Sequence, residues 1–276
     1  MNVVGETTPL ASFEAKWSDS TPEFRLGLTF LAAVERRAHG AFACLAFELE
    51  YTAFGIREAE PAAIKLQWWA EEFARAANRE ARHPLTQTLA VHPRFSDIPL
   101  ARWHEVIVGA LGQRDAEPAA DPAALLDAYG ALYRPLCATE SILFPSVDAS
   151  AMTRVRSLAR SIRETAALGD TLRDGRLPIP LDLLARHRLA RGDLSRESPV
   201  QAAALRDWFA TLGREYSGTS RAVSGPLGAA SARADMWRAR RAARAADPLK
   251  SVNQSLTRLP LQTSWAAWRA ARRSRP

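Results

Sequence analysis

The chain has 276 residues, of which 47% are hydrophobic and 24% charged, a balance that supports a sizeable core and excludes disorder throughout. Its 37 basic and 30 acidic residues give a net charge of +7. Alanine and arginine are abundant whereas β-branched residues and glycine are sparse, which favours helices. Cys44 and Cys137 lie in apolar runs far from any histidine cluster, so we interpret them as small buried residues rather than a disulfide or a metal pair.

The N-terminal segment and the hydropathy pattern indicate the expected cellular location of the protein. The chain starts without a basic stretch followed by a long apolar run, so we expect no signal peptide. It also contains no run of about 18 apolar residues that would predict a membrane-spanning helix. We therefore expect a cytoplasmic protein, with peripheral contact to the inner membrane as a further expectation.

Apolar residues recur at helical spacing along most of the chain. The predicted helices run, in chain order, over 22–54 with a break near Gly40, from Pro61 to His83, over 99–111, from Asp121 to Phe144, over 150–173, after Pro180, over 199–246 and around Trp265. Proline suits the first turn of a helix, because its missing N–H would have no partner there. On the helix that begins at Pro61, Ile64, Trp68 and Phe73 mark the expected apolar side.

These elements predict an all-α fold, a single-domain helical bundle without strand hairpins or internal repeats. We divide the chain into an N-terminal extension over 1–21, a helical domain over 22–247, and a basic tail containing tryptophans over 248–276.

The positive charge is concentrated at the C-terminal end. From Ser231 to Pro276 eleven basic residues face two acidic ones, so this segment carries +9 and the rest of the chain −2. Arginine is attracted to anionic lipid headgroups, and tryptophan favours the membrane–water boundary. We therefore expect an anionic membrane surface or a protein partner to contact a surface formed by Arg240, Arg241, Arg244, Trp265, Trp268, Arg272 and Arg273.

Two alternatives compete with a membrane surface at this end of the chain. Trp265 and Trp268 are three residues apart, so they share one helix face and could dock that helix onto the bundle. The basic tail could also bind nucleic acid, but the sequence contains no helix-turn-helix or other recognition motif, which disfavours this interpretation.

Four segments occur in a characteristic order: IKLQWWAEEFARA, HPLTQTLA, ETAALGDTLRD and LPIPLDLLARHRL. Their order and spacing resemble landmarks of the squalene/phytoene synthase family, over roughly residues 25 to 245. The likeness is strongest to the branch that includes mitochondrial complex I assembly factors. The resemblance implies a helical bundle of the isoprenoid synthase type.

In active members of that family, two acidic motifs with carboxylates four residues apart hold Mg²⁺, which neutralises a diphosphate leaving group. Asp170 and Asp174 have this spacing and are the candidate metal ligands, whereas Glu58 and Glu60 are weaker candidates because they are two residues apart. The alternative for the aspartates is a solvated acidic turn, paired with Arg173 or Arg176.

Both motifs depart from the family's pattern. Ile56 stands four residues before Glu60, and Pro178 stands four residues after Asp174, where a second carboxylate would be expected. The sequence therefore predicts a non-catalytic or weakly active isoprenoid- or lipid-binding accessory or assembly factor. The alternative is an active prenyltransferase that condenses prenyl diphosphates head to head, and Mg²⁺ is expected only in that case.

If the scaffold is kept, an apolar cavity should hold the chain of a prenyl or other lipid ligand. Its expected lining is Phe42, Leu45, Leu49, Trp68, Leu168 and Leu172. For Trp68, packing in the core is the alternative, since adjacent helical residues point about 100° apart and at most one of Trp68 and Trp69 can face a cavity.

Overall fold

All regular structure in the described residues, 9–114, 117–219 and 222–273 of a computed structural model, is helical. The α-helices are α1 (Pro9–Ser20), α2 (Pro22–Thr29), α3 (Ala33–Phe54), α4 (Ala59–Ala77), α5 (Pro84–Ala90), α6 (Leu100–Gly112), α7 (Pro122–Leu143), α8 (Ala149–Ala166), α9 (Leu168–Arg173), α10 (Leu181–Arg186), α11 (Pro199–Thr219), α12 (Pro226–Ala242), α13 (Pro248–Leu256) and α14 (Leu261–Arg273). Two short 3-10 helices span Phe95–Asp97 and Arg191–Ser195. The all-α prediction is confirmed.

Aspartate fixes the start of three of these helices. The side chain of Asp121 accepts a hydrogen bond from the N–H of Ala124 at the start of α7, and Asp148 and Asp247 cap α8 and α13 in the same way. A capping oxygen satisfies a backbone donor that has no partner within the helix, and it places negative charge at the positive end of the helix dipole.

Three predicted helix boundaries were wrong. The helix expected to extend to His83 ends at Ala77. The first pattern breaks between Phe30 and Ala32 rather than near Gly40, which lies inside α3. A Cβ on Gly40 would approach the Glu14 carboxylate to 2.3 Å, so glycine serves here to let α1 lie close to α3. The helix expected over 150–173 is interrupted at Ala167, where the hydroxyl of Thr171 donates to the carbonyl of Glu164 near the end of α8.

The buried face of α4 also differs from the predicted one. Ile64 and Trp68 are 61% and 39% exposed, whereas Trp69 is 1% exposed and Phe73 is fully buried. The buried residues of this helix are Ala62, Leu66, Trp69, Glu72, Phe73 and Ala76, which recur every three or four positions. Adjacent residues of a helix point in different directions, so only one of the two tryptophans can lie on this buried face. That residue is Trp69.

The segments LQWWAEEF and HPLT are joined by a buried carboxylate. Glu72 of α4 accepts hydrogen bonds from the backbone N–H groups of Arg82 and His83, each at 2.8 Å, and from the hydroxyl of Thr86. Burial acts to raise the pKa of Glu72, but these donors and Arg75 outweigh it and hold the pKa below its usual value. Glu72 thereby fixes the turn from which α5 starts.

Both ends of the described chain pack onto the bundle. In α1, the Trp17 ring lies 5.3 Å from the ring of Phe47. Val252 of α13 is fully buried, and the side-chain amide of Asn253 donates to the carbonyl of Ala166 at 2.9 Å. The division at 21/22 and 247/248 stays a prediction, but the helices on either side of each boundary are in contact.

Two further expectations can be compared with the structure. Cys44 and Cys137 are buried and free, as predicted, and burial raises the pKa of each thiol to about 12. Within the described ranges, no helix combines the length and the apolar character needed to cross a membrane.

Candidate functional site

Helix α9 carries the two aspartates predicted as metal ligands, Asp170 in its first turn and Asp174 at its C-terminal cap. Arg57, from the turn between α3 and α4, reaches both. Its Nη2 atom lies 3.5 Å from Oδ1 of Asp170, and its Nε atom lies 2.9 Å from Oδ1 of Asp174. A guanidinium therefore stands between the two carboxylates, where a shared metal ion would have to bind.

Two more arginines surround this pair. Arg173 forms an ion pair with Asp170, and Nη2 of Arg176 lies 3.9 Å from Oδ2 of Asp174. The alternative to a metal site was an acidic turn paired with Arg173 or Arg176, and both of these ion pairs are present. Burial, followed by repulsion from Arg160, lowers the pKa of Arg176 to about 10, so this group remains a cation at neutral pH.

The residues at this position do not fit Mg²⁺. The ion requires several oxygen ligands in near-octahedral geometry, whereas three guanidinium groups already neutralise Asp170 and Asp174. Glu58 and Glu60 are exposed at the start of α4. Across the residues that the structure describes, no group of three or more His, Cys, Asp and Glu side chains could hold a metal ion.

Three arginines line one face of α8 and point into the protein. Arg156, Arg160 and Arg163 are spaced four and three residues apart, which places them on one side of the helix. Their nearest carboxylate partners are Glu140 at 2.9 Å, Glu164 at 2.7 Å and Glu23 at 3.5 Å, respectively. The side chains of Arg156 and Arg160 are only 14% and 15% exposed.

A second ion-pair cluster continues this network between α2 and α12. Arg238 is 1% exposed and binds Glu23 with both terminal nitrogens, at 2.9 and 2.8 Å. Its Nη1 atom also donates to Oδ1 of Asp235 at 2.6 Å. Arg238 further donates to the backbone carbonyl of Leu256 at 2.7 Å, which ties α13 to the cluster.

The interior network is balanced in charge. Its arginines are Arg156, Arg160, Arg163, Arg176 and Arg238, and its carboxylates are Glu23, Glu50, Glu140, Glu164 and Asp235. Fully ionised, the ten groups sum to zero. Each of the five arginines forms an ion pair with Glu23, Glu140, Glu164 or Asp235. The sequence analysis missed this network. The only feature of the sequence that indicated it is the spacing of Arg156, Arg160 and Arg163. They recur every three or four residues on α8, as do the buried residues Val155, Leu158 and Ile162.

Side chains fill the space in which the sequence predicted a lipid cavity. Phe42, Leu45 and Leu49 have no surface that a water-sized sphere could touch, and Leu168 is 2% exposed. The ring of Phe42 packs edge-on against Phe144. Trp68, which was also expected in the lining, lies partly at the surface, and Leu172 is half-buried. Clefts of about 380 and 960 Å³ lie elsewhere, between α12 and α14 and between α6 and α7.

The C-terminal residues predicted to contact a membrane or a partner lie on the surface. Trp265 and Trp268 are 58% and 36% exposed, and their rings stack with centroids 4.7 Å apart. Helix α14 docks instead through its buried residues Thr263, Ala267 and Ala270. The alternative in which both tryptophans anchor this helix to the bundle is therefore wrong. Arg240, Arg241, Arg244, Arg272 and Arg273 are likewise exposed.

No family model and no curated protein matches this sequence. Several solved structures are similar in fold, and two of them illustrate the likeness. A squalene synthase from Alicyclobacillus acidocaldarius superposes with a TM-score of 0.64 at 12% identity, covering 91% of this chain and 95% of that one. A dehydrosqualene synthase in complex with ligand superposes with a TM-score of 0.68 at 10% identity, covering 96% and 95%. The chain therefore has the isoprenoid synthase fold of squalene synthase structures.

Proposed function

We propose that this protein is a non-catalytic relative of the squalene/phytoene synthases that works as an accessory or assembly factor. The observation that carries the proposal is the position of Arg57 between Asp170 and Asp174. A side-chain cation there satisfies the carboxylates without a metal ion. Ionisation of a prenyl diphosphate would need that charge to be free for Mg²⁺, because the metal stabilises the departing diphosphate.

The interior supports the same proposal. A prenyl carbocation requires an apolar pocket that excludes water. Here Phe42, Leu45 and Leu49 are packed without space for a ligand. Five arginines and five carboxylates form a network around α8, and a chain of hydrocarbon beside them would bury their charges further at a cost in free energy.

An isoprenoid or other lipid ligand inside the bundle receives no support from this packing, so the proposal includes none. The proposed partners are a protein or an anionic membrane surface, which the exposed part of the molecule would contact. A role like that of the complex I assembly factors belongs to the same proposal, and its support is the loss of catalytic features on a retained scaffold.

A diphosphate-release assay tests the proposal. Purified protein with MgCl₂ and farnesyl or geranylgeranyl diphosphate should release no diphosphate above the rate without protein. Asp174→Ala should leave this baseline unchanged, as should the control Asp127→Ala, which removes an exposed aspartate on α7. Clear turnover that disappears in Asp174→Ala but persists in Asp127→Ala would refute the proposal and establish the Mg²⁺-dependent prenyltransferase.

A further inference from the structure

Helices α12 and α14 form a basic surface with two exposed tryptophans. We define the arginine–tryptophan face as Arg240, Arg241, Arg244, Trp265, Trp268, Arg269, Arg272 and Arg273, all of which are exposed. Between the two helices lies a groove of about 380 Å³, lined by Arg233, Met236, Trp237, Arg240, Arg241, Arg244 and Gln262. Gln262 joins the groove to the tryptophans, because Trp265 lies one turn further along α14.

The face contains six arginines, Arg240, Arg241, Arg244, Arg269, Arg272 and Arg273. None of the six forms an ion pair within the part of the chain that the structure describes. Arg240 donates to the hydroxyl of Ser217, and Arg241 and Arg272 lie over the rings of Trp237 and Trp268, at 5.8 and 5.1 Å. Neutral and aromatic neighbours hold these side chains in place and leave their charge uncompensated.

The acidic side chains nearby are engaged elsewhere. On α12 itself, Asp235 is buried against Arg238. On the helices packed against α12, Glu23 binds Arg238, Glu215 binds Arg154, and Asp207 pairs with His187. Asp247, between α12 and α13, caps the N-terminus of α13. The face therefore presents a positive field that attracts anionic partners.

The tryptophans specify what kind of anionic partner fits. Two stacked indole rings project outward next to Leu261, which is 90% exposed, while the opposite side of α14 is docked on the bundle. Indole rings partition to the boundary between lipid headgroups and acyl chains, and arginines beside them contact the phosphates. We propose that the arginine–tryptophan face is a docking site for an anionic phospholipid bilayer. This inference does not depend on whether the protein is catalytic.

Co-sedimentation with vesicles tests the inference, using neutral phosphatidylcholine vesicles and vesicles in which part of the lipid is phosphatidylglycerol. The full chain should bind the anionic vesicles at low salt, bind the neutral ones far more weakly, and dissociate as salt rises. Point substitutions are preferable to deletion of residues 248–276, because Val252 and Asn253 of that segment hold core contacts.

Two variants separate the contributions of charge and aromatic rings. Arg240→Gln/Arg241→Gln/Arg244→Gln should lower the partition coefficient at least about tenfold, since each arginine near an anionic surface contributes on the order of 1 kcal/mol. Trp265→Ser/Trp268→Ser should weaken binding to the anionic vesicles. The binding that remains should be more sensitive to salt, because only the charge attraction of the arginines is left. Arg79→Gln/Arg82→Gln/Arg102→Gln removes the same charge outside α12 and α14 and should bind as the wild type does. Thermal unfolding of each variant verifies that it is folded.

Three results would overturn the inference. The first is an absence of binding to anionic vesicles at low salt, and the second is equal loss of binding in the control triple and the Arg240 triple. The third is tighter binding to duplex DNA than to anionic vesicles, with the same substitutions reducing DNA binding, which would identify a nucleic-acid surface instead.

Discussion

Arg57 reaches Asp174 across the gap between the turn that precedes α4 and the end of α9, with 2.9 Å between its Nε atom and Oδ1 of the aspartate. The same guanidinium lies 3.5 Å from Asp170. The two carboxylates have the sequence spacing of metal ligands, but they bind a guanidinium group instead. The side chains are partly exposed, so the cluster adds little to stability, but it determines what else can bind there.

Mg²⁺ should have no effect on the stability of the wild type, because Arg57, Arg173 and Arg176 already pair with the two carboxylates. We expect an unchanged melting temperature when millimolar MgCl₂ is added. Arg57→Ala removes the one guanidinium that contacts both carboxylates, while Asp170 keeps Arg173 and Asp174 keeps Arg176. It should produce a small Mg²⁺-dependent rise, since an ion that binds only the folded state stabilises it. Adding Asp174→Asn to that variant should remove the rise. Differential scanning fluorimetry measures all three, and a Mg²⁺-dependent rise in the wild type would contradict the prediction.

Removing the central cation of the buried cluster around Arg238 should be strongly destabilising. Arg238→Met leaves the buried Asp235 without its cation and leaves Glu23 with Arg163 alone, at 3.5 Å. Removing one partner of a buried pair in this way costs about 3–5 kcal/mol. Urea unfolding should show this loss in the free energy of unfolding. The matched control, Arg233→Met, alters a half-buried arginine on the same helix and should change it by no more than about 0.5 kcal/mol. Equal effects of the two substitutions would refute the assignment.

The helical architecture follows from local features of the sequence. Prolines and aspartates mark most helix starts, and Asp121, Asp148 and Asp247 cap their helices through hydrogen bonds that involve only neighbouring residues. Such signals lie within a few positions of each other, so a single sequence contains them. The adjacent tryptophans of α4 show the limit, because the apolar pattern admits either Trp68 or Trp69 on the core side and the contacts with other helices select Trp69.

The site was less predictable because its partners come from distant parts of the chain. The spacing of Asp170 and Asp174 indicated a shared face, but nothing near them identifies Arg57 as their common neighbour. The same holds for Glu23, whose partner Arg238 lies near the opposite end of the chain. Pairing between distant charges depends on the packing of whole helices, which local spacing does not encode.

Glu72 should make stability depend on pH below about pH 4.5. Its pKa in the folded protein lies below the usual value, so its contribution is complete above the unfolded-state pKa of roughly 4.3 and disappears as pH falls through the folded-state pKa. Glu72→Gln should cost about 1.5–3 kcal/mol at neutral pH, because hydrogen bonds to a charged acceptor are lost.

Urea unfolding at about pH 7, and again well below the pKa of an unperturbed glutamate, roughly 4.3, should show this cost shrinking with acidity. Glu71→Gln is the matched control, since Glu71 is the adjacent carboxylate and is 55% exposed. A destabilisation by Glu72→Gln that is as large in acid as at neutral pH would show that the hydrogen bonds do not depend on the charge.

His39 should also make the folded protein less stable in acid, but over a higher pH range than Glu72 does. Burial, and then repulsion from His92, lower the pKa of His39 to about 4, and its ring stacks on Phe144 with 3.6 Å between centroids. The folded protein therefore keeps His39 neutral, whereas the unfolded chain takes up a proton near pH 6.5. Stability should fall as pH decreases from about 6.5 to about 4, by up to roughly 3 kcal/mol.

His39→Phe retains a ring against Phe144 but removes the titrating nitrogens, so the free energy of unfolding should become flatter over this pH range. His104→Gln, at an exposed position of α6, should leave the wild-type slope unchanged. Urea unfolding at half-unit pH steps gives both slopes. If the wild type and His39→Phe lose stability in parallel as pH falls, the burial of a neutral His39 is not the cause of the acid sensitivity, and the stacked pair contributes packing alone.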